Sequence, residues 1–258
     1  MKRLAYIVLM TFASCTVLEN RSVCPSILGL TVTSQLEHIY QGGLAWCSVY
    51  ASDGSRLEVN PLEGMNVRDT TLWFSVSRER VLAVASSREV VSGSVIAGPG
   101  EDMEELYACR LEIDCSGEST EEVIDHLEKQ FCNLTVVLAE DALPYASVLG
   151  LIARAPYDGT SFPSLAAHQG DFLYEKPFAG RDSVEIRLPR QGGPGLVIEL
   201  VTETFTATCD LYGVMAEALY DWSAQSLDDF AVTVSINRIA GVIEVLDWDV
   251  EELGNREF

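Results

Sequence analysis

The sequence predicts a mainly β fold, arranged as two tandem β-sandwich domains with a few short helices. Short segments of alternating apolar and polar residues recur along the chain, and turn-forming stretches such as Asp53-Gly54 and Gly98-Pro99-Gly100 separate them. Apolar residues make up 48% of the 258 residues, which is enough for a sizeable core and excludes wholesale disorder. Many short strands joined by turns are typical of a sandwich.

The first fifteen residues have the order of a secretory signal. Lys2-Arg3 make a positive start, an apolar run extends from Leu4 to Phe12, and the small pair Ala13-Ser14 precedes Cys15. A membrane-spanning helix needs about 20 apolar residues, so this run is too short to stay as an anchor. A cysteine after a small pair is typical of bacterial lipoproteins, in which the signal is cut before that cysteine and its thiol receives a diacylglycerol. We therefore expect residues 1–14 to be a signal peptide and Cys15 to be lipidated. The alternatives are an ordinary cleaved signal with an incidental cysteine and an uncleaved cytosolic start.

The chain is strongly acidic, with 39 Asp and Glu residues against 17 Lys and Arg and a formal net charge of −22 at pH 7. Such a surface repels the phosphates of nucleic acids, so we expect no nucleic-acid partner. It also opposes peripheral attachment to anionic lipid, which leaves acylation of Cys15 as the expected membrane tether.

Residues 15–25 are predicted to be a polar lipidated tether, and residues 26–118 the first sandwich. Over residues 26–34 the pattern predicts a strand with one buried face, with Leu28, Leu30 and Val32 inward and Thr31 and Thr33 outward. Further strands are predicted from LAWCSVYA (44–51), TTLWFSVS (70–77), RVLAVASS (80–87), VVSGSVIAG (90–98) and CRLEIDC (109–115).

The second sandwich is predicted over residues 119–258. Ser119 and Glu122 have the spacing of a capping box, and apolar residues follow at helical spacing, so a short helix should begin here and mark the domain boundary. A second helix, 210–222, should be capped by Asp210, because its apolar residues form one stripe. The strands of this half are predicted from NLTVVLA (133–139), SVLGLIAR (147–154), DSVEIRLP (182–189), GLVIELVTETFTAT (195–208), FAVTVSIN (230–237) and VIEVLDWDVEEL (242–253).

Six cysteines besides Cys15 could form three disulfides. Strand alternation in CRLEIDC places Cys109 and Cys115 on one face, where they are interpreted as small core residues. Six residues of strand span about 20 Å, whereas a disulfide needs Cα atoms within about 7 Å. We therefore expect no bond between these two and leave open the disulfide status of Cys24, Cys47, Cys109, Cys115, Cys132 and Cys209.

The sequence nominates no catalytic, cofactor or metal site. The three histidines, His38, His126 and His168, are far apart, and no nucleophile elbow, zinc or dinucleotide motif is present. The acidic run 101–105 is interpreted as a solvated loop. Asp247, Asp249 and Glu251 alternate like calcium ligands, but Glu252 occupies the place of the glycine that an EF-hand loop requires. We therefore predict no calcium site at these three acids.

The two ends of the chain resemble a known family. Cys15 is followed by the segment from Glu19 to Pro25 and an alternating strand. Near the other end, Tyr220-Asp221-Trp222 precedes Leu227-Asp228-Asp229-Phe230, and Val245-Leu246-Asp247-Trp248 follows. These features resemble the FimB-type fimbrillin-associated anchor lipoproteins of anaerobic Gram-negative bacteria from mouth and gut. The middle of the chain carries no matching motif.

The resemblance implies two transthyretin-like, Greek-key sandwiches on an acylated cysteine in the outer membrane, with no catalytic site and no cofactor. It also implies a cell-surface lipoprotein that anchors or nucleates a fimbria as a minor subunit. Its partner would be a pilin, bound by strand addition, in which an extended segment pairs with an open sheet edge.

Two other functions stay open. One is a surface glycan-binding lipoprotein built on similar sandwiches, for which Trp46 and Trp73 are the candidate residues, because sugar sites need flat rings on a surface. The other is an exported hydrolase, which would need clustered acids or histidines that the linear sequence does not show.

Overall fold

The computed structural model describes residues 24–33, 46–61, 70–90, 93–139, 147–237 and 242–251. The predicted signal peptide, the lipidation site Cys15 and His38 lie outside these ranges. Within them, the chain is mainly β and contains one helix. No helix among the described residues is long and apolar enough to cross a membrane.

The strands follow one another with short connections. In chain order they are β1 (Ser26–Val32), β2 (Trp46–Tyr50), β3 (Arg56–Pro61), β4 (Thr70–Val76), β5 (Arg80–Ser86), β6 (Ser94–Ile96), β7 (Tyr107–Asp114), β8 (Ser119–Ile124), β9 (Glu128–Lys129), β10 (Phe131–Leu138), β11 (Val148–Ser161), β12 (Ala166–Pro177), β13 (Ser183–Pro189), β14 (Val197–Thr202), β15 (Thr206–Asp210), β16 (Asp229–Asn237) and β17 (Val242–Glu251). Helix α1 (Leu211–Glu217) lies between β15 and β16.

The first sandwich packs a three-stranded sheet, in the order β4-β1-β8, on a five-stranded sheet, in the order β3-β2-β5-β7-β9. Strand β1 is antiparallel to β4 and parallel to β8. The alternation predicted for residues 26–34 and 70–77 is confirmed, because Leu28, Leu30, Phe74 and Val76 are buried between the two sheets. That core includes Leu28, Leu30, Val32, Cys47, Val49, Phe74, Val76, Val81, Ala83, Ala85, Cys109, Ile113, Cys115, Ile124 and Leu127.

The second sandwich is built from one long sheet, in the order β12-β11-β14-β15-β17-β16-β10-β13, with β6 paired to β11. Among the described residues a single pair, Thr208 with Val242, joins β15 to β17, so the sheet divides there into two halves of four strands. The apolar faces of the two halves enclose the second core, which includes Leu134, Val136, Leu151, Ala153, Ile186, Ile198, Leu200, Phe230, Val232 and Val234.

Helix α1 begins as the sequence predicts. The carboxylate of Asp210 accepts a hydrogen bond from the Gly213 N–H at 3.2 Å, the geometry of an N-cap. The helix ends at Glu217 instead of residue 222, because Leu219 adopts a φ of 60° and the Tyr220 N–H turns back to the Met215 carbonyl at 2.9 Å. Residues 220–222 therefore lie beyond the helix.

The predicted helix at Ser119 is wrong. Residues 119–124 form β8, which pairs in parallel with β1 from Ile27 opposite Ser119 to Val32 opposite Ile124. Helical spacing and strand alternation overlap in this short segment, and the backbone of β1, distant in sequence, decides between them. Strands β8 and β9 both join the sheets of the first sandwich. The boundary before residue 119 therefore cuts the first sandwich, and strand pairing favours one after Lys129. The division into separate domains stays a prediction.

The two sandwiches share buried contacts. On the five-stranded sheet, Val84 and Ala108 face away from the first core and belong to the same apolar cluster as the second core. Met103 and Leu106, in the segment before β7, are fully buried in that cluster. The junction is therefore a packed interface.

Candidate functional site

The two tryptophans that the sequence singles out lie on different faces of the first sandwich. Trp73 is on the outer face of the three-stranded sheet and is 55% exposed. Trp46 lies on the face of the five-stranded sheet that points away from the first core, because its neighbour Cys47 points into that core, as does Val49. The side chain of Trp46 is half-buried. The whole sandwich separates the two side chains, so they do not form one sugar site.

The six-membered ring of the Trp73 indole lies against Gly29. These residues are directly opposite in the β1–β4 register, and a Cβ atom on Gly29 would lie 2.8 Å from Cζ3 of the indole. The neighbouring outward side chains Ile27 and Val123 are 42% and 55% exposed. Glu121 flanks Gly29 on β8. The outer face therefore presents a flat ring, an apolar strip and a carboxylate.

The cysteines of the described residues are free thiols. The prediction that Cys109 and Cys115 do not bond to each other is confirmed, and both are in the first core. Burial raises the pKa of Cys47 and of Cys132 to about 12, and that of Cys109 to about 11. Thiols with such pKa values stay protonated at neutral pH, so they are core residues and not nucleophiles.

The two described histidines pair with carboxylates only. Nε2 of His126 is 2.9 Å from Glu128, and its Nδ1 contacts Asp125, whose hydrogen bond raises the pKa of His126. In the second sandwich, His168 contacts Asp158 at 2.7 Å. Within the part of the chain that the structure describes, no three His, Cys, Asp or Glu side chains are grouped to hold a metal ion.

A groove of about 460 Å³ runs along the junction of the two sandwiches. Its wall in the second sandwich includes the buried Arg190, which donates hydrogen bonds to the carbonyls of Trp222 at 2.7 Å and Ala224 at 2.8 Å, and to the side chain of Gln130 at 3.0 Å. These contacts engage both terminal nitrogens of the guanidinium with acceptors of the protein itself. Arg190 therefore fixes the 222–225 segment, and the groove does not present it as a ligand-binding group.

Strand β17 has an edge that sequence reasoning missed. It pairs with β16 along its whole length, but on its other side the only described pair is Val242 with Thr208. Two large apolar residues near this edge are exposed, Leu246 at 53% and Trp248 at 45%. The sequence pattern gives no signal for this edge, because the missing neighbour is visible only in the sheet order.

The architecture defines a class of protein: a chain of two mainly β sandwiches that share a packed junction. It has the fold of the fimbrial anchor protein Mfa2 from Porphyromonas gingivalis, with a TM-score of 0.58 at 11% identity over 88% of this chain and 97% of that one. A candidate adhesin from Bacteroides thetaiotaomicron matches with a TM-score of 0.54 at 13% identity over 88% and 98% of the two chains. A candidate polysaccharide-binding protein from the same species matches with a TM-score of 0.55 at 11% identity over 88% and 95%.

The TM-scores above 0.5 over most of both chains show a shared fold. Searches against family models and against curated proteins give no match. The fold expected from the resemblance to fimbrial anchor lipoproteins is confirmed, since the structural neighbours include fimbrial anchor and adhesin proteins built from β-sandwiches.

Proposed function

We propose that this chain is a fimbria-associated surface lipoprotein. It is held in the outer membrane by a lipid on Cys15 and serves as a minor subunit that anchors or nucleates a fimbria. The observation that carries the proposal is the fold shared with a fimbrial anchor protein over 88% of this chain. The signal-like start and the small pair before Cys15 support the lipid anchor.

The proposed partner is a pilin, bound by strand addition. Backbone N–H and C=O groups along an unpaired strand edge are ready to pair with an extended segment of another chain, and alternate side chains of that segment provide specificity. The two sandwiches have several strands that end a sheet, among them β3, β4, β8, β12 and β13. The proposed role needs no chemistry, and the buried thiols and carboxylate-bound histidines of the described residues supply no nucleophile–base pair.

Deletion and anchor variants in the native bacterium test this proposal. Deleting the gene should leave fimbriae shed into the medium or altered in length, and the protein should co-purify with isolated fimbriae. Cys15→Ala should release the protein from membranes or stall it as a precursor. Cys24→Ala is the matched control, because Cys24 is a nearby exposed free cysteine, and this variant should stay in the membrane.

Normal attached fimbriae in the deletion strain would contradict the anchor role. A Cys15→Ala protein that remains processed and membrane-bound would contradict the lipid anchor.

A second candidate function, glycan binding, is favoured by Trp73. Its exposed indole over Gly29, beside a carboxylate, is an arrangement on which a sugar ring can stack and hydrogen-bond. One neighbour in fold is a candidate polysaccharide-binding protein. Binding of bacterial and host polysaccharides should then be lost in Trp73→Ala and kept in Trp46→Ala. Equal binding by both variants and the wild type would exclude Trp73 as the site.

A further inference from the structure

We propose that the edge of β17 beyond the end of β15 accepts an extended segment of another polypeptide, in which apolar residues alternate with Lys or Arg. This inference rests on the proposed function, and it specifies both the edge that receives the partner and the chemistry of the segment. Three properties of the edge carry it: its open backbone, a core-side tryptophan that is half exposed, and its charge.

The edge is open because its neighbour is short. Strands β15 and β17 are parallel and meet at the pair of Thr208 with Val242. Two residues later, at Asp210, the chain leaves the sheet as the cap of helix α1. Strand β17 continues to Glu251, so its segment Leu246–Val250 has a strand partner on one side only, among the described residues.

Trp248 shows that the sandwich is incomplete at this edge. In the β16–β17 register it lies opposite Val232, which is fully within the second core, so the two side chains share the core face. Trp248 is nevertheless 45% exposed. A strand placed beside Leu246–Val250 would cover the indole with its own core-facing residues. The segment that binds here must therefore be apolar at alternate positions.

The opposite face of β17 decides the charge of the partner. Asp247 and Asp249 lie opposite Thr233 and Ala231, outside the core, and both are exposed. Strand β17 contains four acidic residues and no Lys or Arg. The Trp248 N–H donates to the Asp247 carboxylate at 2.9 Å, so this carboxylate occupies an edge donor that an added strand would take. Basic residues of the partner strand that lie on the same outer face could then form ion pairs with both carboxylates.

Two other strands that end a sheet, β8 and β12, do not combine these properties. At β8 the core-facing Ile124 is 2% exposed, so the first core is already closed at that edge. At β12 the core residue Phe172 is buried, and the strand carries Lys176 together with its acids, so a basic segment gains less there. Of these three edges, only β17 has a large core-facing side chain that stays half exposed beside an open backbone, on a strand whose charged residues are all acidic.

The test is photo-crosslinking with the full-length protein in the native bacterium. A photoreactive amino acid replaces Leu246 at the open edge of β17. The same group at Gln169 on β12 and at Glu121 on β8 provides two matched exposed edges as controls. Side chains on paired strands lie about 5 Å apart, so an added strand is within reach of the probe. Mass spectrometry of the digested adduct then gives the sequence of the partner segment.

We expect adducts from position 246 and not from 169 or 121, joined to a segment of a fimbrial subunit in which apolar residues alternate with Lys or Arg. Adding Asp249→Lys should lower the yield from position 246 at least about tenfold, because a like charge then faces the partner. Asp171→Lys, the same charge change on β12, should leave the yield unchanged.

Three results would overturn the inference. Adducts from 169 or 121 with none from 246 would move the site to another edge and leave the proposed function standing. Adducts that join position 246 to this chain's own residues, to a second copy, or to a segment without alternating Lys or Arg would show that the proposed partner is wrong. No adduct at any position, together with absence of the protein from isolated fimbriae, would remove the proposed function as well.

Discussion

The ammonium group of Lys129 forms an ion pair with the carboxylate of Asp229, which ties the last strand of the first sandwich to the second sandwich. Their side chains are 4% and 15% exposed. The carboxylate also accepts hydrogen bonds from the backbone N–H of Asn133 at 2.7 Å and from its side-chain amide at 3.2 Å. Lys129 lies 5.0 Å from the ring centroid of Phe131. The Asp229 carboxylate therefore accepts from three donors: the Lys129 ammonium, the Asn133 backbone N–H and the Asn133 side-chain amide.

The first prediction is that Asp229→Ala lowers the free energy of unfolding by about 3 to 5 kcal/mol, because it leaves a buried ammonium and a backbone donor without an acceptor. Lys129→Met should cost less, since Asn133 still bonds the carboxylate. The measurement is urea unfolding followed by circular dichroism. Glu199→Ala is the control: it breaks an ion pair with a half-exposed Arg154, which should contribute under about 1 kcal/mol. A loss no greater for Asp229→Ala than for this control would contradict the prediction.

The second prediction concerns Gly29 and Trp73. Replacing a strand glycine with alanine usually stabilises a protein by about 0.5 to 1 kcal/mol. Here the new Cβ would lie 2.8 Å from the indole, so the ring must move away and become more exposed. Gly29→Ala should therefore be stabilising in a Trp73→Ala background and not in the wild type, with the indole emission of the single variant shifted to the red. Additive effects across the four proteins would show that the two residues are not coupled.

The third prediction is a pH dependence centred on His126. Its pKa is raised in the folded state, first by the hydrogen bond with Asp125 and then by the charge of Glu128. A raised pKa means that the folded state binds the proton more tightly, so the stabilisation is complete below the unfolded pKa of about 6.5 and is lost as the pH rises through the folded value. The gap in free energy of unfolding between the wild type and His126→Gln should thus be larger at about pH 5.5 than at about pH 9. A gap that grows with pH would reverse the sign and refute the assignment.

The fourth prediction is an order of thiol reactivity. In the native protein, Cys24 is exposed and should react first with a thiol reagent. Cys209 is partly exposed, and burial raises its pKa to about 11, so it should react more slowly. Cys47 and Cys132 should react only after unfolding, because burial both hides them and raises their pKa to about 12. Rapid labelling of either one in the folded chain would show that its core opens.

Sequence pattern alone predicted the parts of the fold that depend on the order of apolar and polar residues within one short segment. Leu30 and Val32 alternate with Thr31 and Thr33, and both apolar residues are fully buried in β1. Asp210 caps a helix because its side chain and the following apolar stripe are neighbours in sequence. Strand β12 was missed because Phe172 is its only buried residue, which leaves no apolar period to detect.

The parts that failed depend on residues far away in the chain. The sequence of β8 has helical spacing, but the segment is a strand because it pairs with β1, which lies about ninety residues earlier in the chain. The open edge at Trp248 has no sequence signal of its own, since it arises where β15 ends at Asp210. The exposure of Trp73 could be predicted from strand alternation. Its contact with Gly29 could not, because it depends on the register between β1 and β4.

The last prediction concerns where the chain can be divided. Residues 119–129 contain β8 and β9, whose strand partners are β1 and β7 of the first sandwich. In a fragment 119–258, β8 and β9 lose these strand partners, but Lys129 keeps its ion pair with Asp229. A fragment 128–258 keeps Lys129 and lacks β8, so it should unfold at about the same urea concentration as 119–258 and aggregate less, because it lacks the exposed edge of β8. Both fragments should be less stable than the whole chain, since they lose the buried Met103 and Leu106 from the shared cluster. If 119–258 is folded by circular dichroism and 128–258 is not, the segment 119–127 belongs to the second domain and the boundary lies before Ser119.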